Sequence, residues 1–335
     1  MEKPSISIII PAYNTEKTII RALDSVVNQT YDGKIEIIVV NDGSTDQTIA
    51  HLETYGIDSL NRDLVIFNQT NSGVSNARNK GIELATGDYI VFLDADDYYL
   101  EETVEQYMNK VQETDCEFLI CSSDLPKQDL IFEHNTSKEE FYNLFLKGVI
   151  NSPWAKAYQS SLLKNNGICF NPEISIGEDL LLNTEVFFKA RVIATFLYEG
   201  YCYDQSESTL TRAFRENYFE ERLKLLRLFK ELLNEQGIDF KDEDWFHIKL
   251  CYSVMLKYID SSEKRTFKEK IKFIQTIRSN KKIKASMGTF KGGSHIQRIS
   301  RGILKYGPSW LIALGISLLP VVKRILPKKS TGASI

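Results

Sequence analysis

Apolar and polar positions along the first third of the chain alternate between two textures. Ile6–Ile10, Ile35–Val40, Leu64–Asn68, Tyr89–Leu93 and Glu117–Cys121 are short, nearly continuous apolar runs and predict buried strands. Between them, apolar residues recurring every three or four positions predict helices over Glu16–Asn28, Thr45–Tyr55, Val74–Ala85 and Glu102–Thr114. Strands and helices in strict alternation pack as a mostly parallel sheet flanked by helices, an α/β fold. Further helices are expected over Lys138–Gly148, Pro153–Asn165 and Glu178–Ala190, with strands near Cys169–Asn171 and Ala194–Cys202. Beyond Asn217 the pattern turns helical: Phe219, Leu223, Leu226, Phe229 and Leu233 form one stripe. Helices near Trp245–Ile259 and Phe267–Ile277 extend it into a C-terminal helical region, and Gly288–Ser294 reads as a linker.

Composition sharpens this picture in three ways. With 335 residues, 43% hydrophobic and 26% charged, the chain can bury a large core. The five cysteines are scattered and never form a C-x-x-C pair, which excludes a disulfide scaffold and a zinc ribbon and fits a cytoplasmic setting. The apolar run between Pro4 and Pro11 is too short for a signal peptide. Charge is unevenly placed: from Lys264 onward there are 17 lysines and arginines against one acid, Glu269, although the whole chain carries −4. An acidic body with a basic tail points to an anionic partner.

Within that tail, Trp310–Val322 is apolar except for Gly315, Ser317 and Pro320. Its 13 residues would span about 20 Å as a helix, short of a ~30 Å hydrocarbon core. Lys305, Lys323, Arg324, Lys328 and Lys329 flank it. In-plane attachment to an anionic membrane surface, on the inner face of the plasma membrane, is therefore expected. The competing reading is a helix that packs on the bundle or on a second copy, giving a homo-oligomer. No nucleic-acid-binding motif accompanies the basic residues, and no nucleic acid partner is expected.

Polar motifs sit just after the predicted strands, where α/β sheets collect ligands. In Asp94-Ala95-Asp96-Asp97, three carboxylates in four residues repel one another, and no cation lies beside them in sequence. Mg²⁺ or Mn²⁺ bridging to phosphates would relieve that repulsion. A solvated acidic turn with Asp97 capping the next helix accounts for the same residues. Asp42, between a strand and a helix, reads as a base or ribose acceptor or as turn chemistry. Gly73-Val-Ser-Asn-Ala-Arg78 opens a helix that could aim N–H groups and a guanidinium at a pyrophosphate. Glu178-Asp179 is either a general base or a first-turn acid pair favoured by the helix dipole. Trp154 is more often core than site. The absence of G-x-G-x-x-G, G-x-x-x-x-G-K-[ST], G-x-S-x-G and H-E-x-x-H disfavours dinucleotide oxidoreductase, P-loop, serine-hydrolase and zincin chemistry.

Taken in order, these segments resemble the family 2 glycosyltransferases. The match runs through Ser7-Ile-Ile-Ile-Pro-Ala-Tyr-Asn14, Ser25-Val-Val-Asn-Gln-Thr-Tyr31 and Glu36-Ile-Ile-Val-Val-Asn-Asp-Gly-Ser-Thr-Asp46. It continues through Asn71–Gly81, Gly87–Asp97, Pro153-Trp-Ala-Lys156 and Gly177-Glu-Asp179, covering roughly residues 5–212. The resemblance implies a GT-A catalytic domain over 1–212, to which 213–287 adds a helical extension and 288–335 a basic, apolar terminal segment. It implies a nucleotide-sugar donor (a UDP-sugar), Mn²⁺ or Mg²⁺ as cofactor, and inverting transfer to a cell-surface polysaccharide, teichoic-acid or lipid-linked glycan acceptor. Pro11, Ala12, Tyr13 and Glu16 would frame the uridine, Asp42 bond the base, and Asn71 and Arg78 reach the nucleotide or diphosphate. Ala95 would line the donor site, Asp94 hold ribose or metal, and Asp96 ligate the metal. Asp179 would deprotonate the acceptor, with Glu178 binding sugar or acceptor. Relatives often carry an arginine-rich stretch after Tyr203; here Thr211 and Arg212 are the nearest substitutes. A sugar nucleotidyltransferase would need a glycine-rich, lysine-containing first loop, which Pro11-Ala-Tyr-Asn14 lacks. A degenerate, non-catalytic relative is the other alternative.

Overall fold

Ile6, Ile8, Ile9 and Ile10 have no solvent exposure, because their strand lies inside a sheet covered on both faces. In the computed structural model this strand, β1 (Ile6–Ala12), is flanked by β2 (Ile35–Asn41) and β4 (Tyr89–Phe92), and β3 (Arg62–Asn68) lies outside β2. These four run parallel to one another, in registers that set Ala12 beside Asn41 and Asn41 beside Asn68. The structure describes residues 3–316 apart from 58–59, 124, 126–128, 134–137, 205–216, 261–264 and 291–294. The eight-stranded sheet has the order β3-β2-β1-β4-β8-β6-β9-β7, with β6 (Phe118–Cys121), β7 (Ile131–Glu133), β8 (Lys156–Gln159) and β9 (Val192–Phe196). Strand order reverses at β1, so the crevice between the β1 and β4 ends is where such sheets bind ligands.

Helices α1 (Ile19–Val27), α2 (Thr48–Thr54), α3 (Val74–Leu84) and α4 (Thr103–Thr114) follow the first strands as expected. Two motif glycines have steric reasons. Gly81 of α3 presses on Ile9, and a Cβ at Gly87 would lie 2.7 Å from the Ser7 nitrogen.

Several expectations give way to tertiary context. Pro153–Asn165 is not one helix. Residues 156–159 form β8, antiparallel to both β4 and β6, and only α6 (Ser160–Asn165) is helical. The slot between two buried strands, where Ala157 and Tyr158 are fully enclosed, overrides local helix preference. Cys169–Asn171 pairs with no strand; Phe170 instead exchanges hydrogen bonds of 2.8 Å with the Asn79 side chain. Ala194–Cys202 is interrupted: β9 ends at Phe196, and β10 (Tyr201–Cys202) joins β5 (Tyr98–Tyr99) in a separate two-stranded sheet. The sequence pattern did not announce β5 or β7. The expected linker at Gly288–Ser294 is helical through Thr289, the end of α11 (Lys281–Thr289), while 291–294 lie outside the described residues.

Contacts divide the chain into two units, Met1–Ser208 with Arg227–Ile238, and Thr209–Leu226 with Asp239–Ile335. The first also holds α5 (Lys138–Leu146), α7 (Glu178–Lys189) and the second half of α8 (Tyr218–Glu235), whose Phe229 packs on Phe141 and Phe145. The second contains α9 (Glu243–Asp260), α10 (Phe267–Ser279), α11 and α12 (His295–Tyr306). Among the described residues no helix is long and apolar enough to cross a membrane.

Asn183 of α7 is fully buried and ties the 150–153 loop to the core. Its amide nitrogen donates to the carbonyls of Ile150 (2.8 Å) and Ser152 (2.9 Å), and its oxygen accepts from Tyr158 Oη (2.7 Å). Asn183→Ala leaves these buried partners unpaired and is expected to cost about 2–4 kcal/mol, read from urea unfolding.

Candidate active site

The carboxyl ends of β1 and β2 are laced together before any side chain reaches the crevice. Asn14 carries a positive φ of 52° that lets its side chain turn back and accept from Thr45 N at 2.8 Å. Its own N–H donates to Ser44 Oγ at 3.0 Å, and the Glu16 carboxylate accepts from Gln47 N at 2.9 Å. This leaves Tyr13 standing out at 46% exposure beside half-buried Pro11 and buried Ala12. Asn71 is exposed at the same edge.

Asp42 faces its own chain. Its carboxylate accepts from the N–H groups of Ser72 and Gly73 and from Gln69 Nε2, each at 2.8 Å, and from Ser72 Oγ at 3.3 Å. Three of these donors meet Oδ1, and the Gly73 N–H alone meets Oδ2. The same contacts take up the Ser72 and Gly73 N–H groups, which are thereby directed at Asp42 rather than at a pyrophosphate.

Arg78 departs further from expectation. It is buried on α3, with Phe170 5.2 Å from the guanidinium carbon. Nη2 donates to Asp94 Oδ1 at 2.9 Å, while Nη1 donates to Glu178 Oε1 at 3.0 Å and Asp179 Oδ1 at 3.2 Å. Both terminal nitrogens thus donate to carboxylates, while Nε is buried without a partner among the described residues. Burial alone would lower its pKa, but Asp94, Asp179 and Glu178 outweigh burial and hold it above the usual arginine range. Gly177, at φ 89°, begins α7 and sets Glu178 and Asp179 in its first turn. Burial pushes the Asp179 pKa well up and the Glu178 charge pushes it further, against the pull of Arg78.

The acidic turn after β4 splits by exposure. Asp94 and Asp96 are half-buried, with buried Ala95 between them. Burial and the charges of Asp94 and Asp204 raise the Asp96 pKa; its carbonyl oxygen accepts from Arg21 Nη2 at 2.6 Å. Asp97 does not cap the next helix. It is fully buried and accepts from Tyr201 Oη (2.5 Å) and Asp204 N (2.8 Å), and burial pushes its pKa up to about 7. The structure brings together Asp94, Arg78, Glu178 and Asp179, while Thr211 and Arg212 lie outside the described residues.

Sequence reasoning missed an aromatic wall beside the acids. Trp154 stacks on Tyr201 (ring centroids 4.9 Å) and lies near-parallel to Tyr203 (6.4 Å). Trp154 follows Pro153 in a motif already singled out, so its place in the motif was the available signal. Arg21 and Asp204, paired at 2.6 Å, gave none, since 183 positions separate them.

The family model for glycosyl transferase family 2 matches residues 7–172. EpsH of Bacillus subtilis is 30% identical over 294 residues, covering 83% of this chain and 84% of EpsH. The chain belongs to glycosyltransferase family 2. This glycosyltransferase is also 29% identical over 204 residues to the poly(ribitol-phosphate) beta-N-acetylglucosaminyltransferase TarS of Staphylococcus aureus, covering 59% of this chain and 35% of TarS. The crystal structure of TarS 1–349 in complex with UDP-GlcNAc aligns with a TM-score of 0.61 at 21% identity, covering 98% of this chain and 93% of that one. The mannosyltransferase PcManGT of Pyrobaculum calidifontis, in complex with GDP-Man and Mn²⁺, aligns at 0.54 and 17% identity, covering 95% and 88%. At those identities the likeness concerns the fold, which is GT-A.

Removing the cation at the centre of this cluster is expected to be costly. Arg78→Met leaves Asp94, Glu178 and Asp179 without their shared partner, a loss of about 3–5 kcal/mol for a buried group. Arg78→Lys should recover little, because one ammonium cannot reproduce the planar fork. The methionine variant's deficit, followed by urea unfolding, should shrink from pH 7 to pH 5 as the unpaired carboxyls take up protons.

Proposed function

We propose that this enzyme moves a sugar from a nucleotide-sugar donor, a UDP-sugar, to a hydroxyl of a cell-surface polysaccharide, teichoic-acid or lipid-linked glycan, with inversion at the anomeric carbon. The observation that carries this reading is the single guanidinium joining Asp179 to Asp94, which sets a candidate base beside the donor-side turn. TarS, by name, glycosylates poly(ribitol-phosphate), and its structure with UDP-GlcNAc shares this fold, which supports a UDP donor and a teichoic-acid-like acceptor. Domain 1–212 would bind donor and acceptor, 213–287 extend it, and 288–335 hold the protein on the inner face of the plasma membrane.

Asp179 takes the acceptor hydroxyl proton as the oxygen attacks the anomeric carbon. The bond to the β-phosphate oxygen breaks and its electron pair leaves with the diphosphate. Glu178 binds sugar or acceptor, and Arg78 holds both acids and Asp94 in place. Tyr13, Pro11, Ala12 and Asn71 frame the nucleotide, with Glu16 and Asp42 shaping the loops that carry them.

The donor set fits a hard cation. Asp94 and Asp96 are two half-buried carboxylates, and burial, followed by the Asp94 charge, raises the Asp96 pKa. No group of three His, Cys, Asp or Glu forms a ready-made metal cage among the described residues. Mg²⁺ or Mn²⁺ sites of this chemistry use one or two carboxylates and complete themselves with substrate phosphates. Held by Asp94 and Asp96, the ion would neutralise charge on the diphosphate.

Three outcomes test this reading. Asp179→Asn should lower kcat by about 10²–10⁴ with donor affinity near wild type; lost donor binding with intact kcat would move Asp179 to a binding role. Because its pKa is raised, the acid limb of the kcat profile should lie above the ordinary carboxylate range, activity falling as pH drops through it. Chelation or Asp96→Ala should abolish turnover while leaving the melting curve unchanged. A chain unable to hydrolyse or transfer any nucleotide sugar with Mn²⁺ would favour the degenerate relative.

A further inference from the structure

An exposed apolar stripe and a basic pocket lie side by side in the helical unit. Ile299, Ile303 and Tyr306 on α12, with Trp310, Leu311 and Leu314 on the helical segment 309–316, are between 42% and 73% exposed. Most recur three or four residues apart, and their neighbours Leu304, Ile312 and Ala313 are buried. The stripe is held outward by hydrogen bonds rather than left loose. Arg278 donates to the carbonyls of Lys305 (3.0 Å) and Gly307 (2.8 Å) and to Ser309 Oγ (3.1 Å), capping the end of α12. Arg301 donates to Met287 O (2.7 Å), and Tyr252 Oη donates to Ser300 O (2.7 Å).

Next to this stripe, Arg278, Lys284, Lys305 and Tyr306 line a cavity of about 460 Å³ with Gln275 and Ser279, and no acid is among its lining residues. Three cations converging without a counter-charge favour an anion. Arg278 is committed to carbonyls and contributes its field; Lys284, Lys305 and the polar side chains can donate directly. We infer that this pocket seats the phosphodiester headgroup of an anionic phospholipid while the stripe enters the acyl boundary beside it. The inference rests on the membrane-surface reading above and deepens it by naming the contact.

Two arguments select a lipid surface. A phosphate-only or nucleic-acid ligand gives no reason to keep six large apolar side chains in water, whereas a membrane interface takes both features at once. A second copy of this face would bring like charge against like, in a stretch with 17 basic residues and one acid.

The test uses the full chain and flotation with phosphatidylcholine vesicles, with and without phosphatidylglycerol. The wild type should float only with the anionic vesicles. Lys284→Gln with Lys305→Gln should weaken that binding about tenfold or more, as expected for two basic residues at the surface. Lys268→Gln with Lys270→Gln, the same charge change on α10 outside the cavity lining, should weaken it less than threefold. Ile303→Ser with Trp310→Ser should also release the protein, and turnover on a soluble acceptor should survive in all three variants. Equal losses for both lysine pairs would overturn the pocket, leaving general electrostatic attachment. So would loss of binding only on deleting 317–335. Tight binding of inorganic phosphate or duplex DNA that the Lys284/Lys305 pair abolishes, without vesicle binding, would overturn the lipid assignment. A dimer dispersed by the serine pair would do the same. If the wild type ignores anionic vesicles altogether, the membrane-surface reading falls with it.

Discussion

One buried guanidinium sets the terms for the rest of the catalytic unit. Arg78 leaves α3, passes over Phe170 and divides its two terminal nitrogens among Asp94 after β4 and Glu178 and Asp179 at the start of α7. Three segments that are far apart in sequence are thereby fixed within hydrogen-bond reach of one cation. A lysine's point charge could not serve three carboxylates at fixed angles, whereas a planar fork can. The surrounding structure exists in part to hold that fork. Asn79 clamps Phe170 beneath it, and Gly177 makes the left-handed turn that admits Glu178 and Asp179 to one helical first turn.

The cluster is unbalanced by design of its composition. One arginine faces three acids, and Asp179 answers with a raised pKa, driven by burial and by its neighbour Glu178. A raised pKa makes a carboxylate a stronger proton acceptor, the property the proposed base role calls for. Lys156 adds a second buried cation: burial lowers its pKa to about 8, and it lies within the electrostatic reach of Asp179. Among the described residues its Nζ donates to Trp154 O at 3.3 Å and Ser152 Oγ at 3.5 Å.

The α/β class, the family and the position of the polar loops were legible because they rest on local signals. Apolar runs such as Ile35–Val40 read directly as strands, and the ordered motifs carry the family. Pairings between distant residues were not legible. Arg78 looked like a helix-opening anion binder, since nothing in its own segment shows the carboxylates 100 residues away. The contacts of Asp42 with Gln69, Ser72 and Gly73 were hidden for the same reason, since those donors lie across a neighbouring loop. Asp97 looked like a cap, yet Tyr201 folds down from a two-stranded sheet that has no periodic signature at all. Lys156-Ala-Tyr-Gln159 shows the same limit for secondary structure, its strand being imposed by β4 and β6 on either side.

The charge arithmetic of the proposed reaction follows from these placements. A nucleotide diphosphate entering the crevice brings anionic oxygens toward Asp94 and Asp96, and the nearby arginines are already engaged. Arg78 is spent on three carboxylates, and Arg21 on Asp204 and the Asp96 carbonyl. Like charges brought together out of water repel strongly, so a cation arriving with the substrate would ease the approach of the diphosphate to this carboxylate pair. In the proposed reaction Arg78 serves the acid cluster that holds Asp179, and a divalent ion held by Asp94 and Asp96 would meet the phosphates instead.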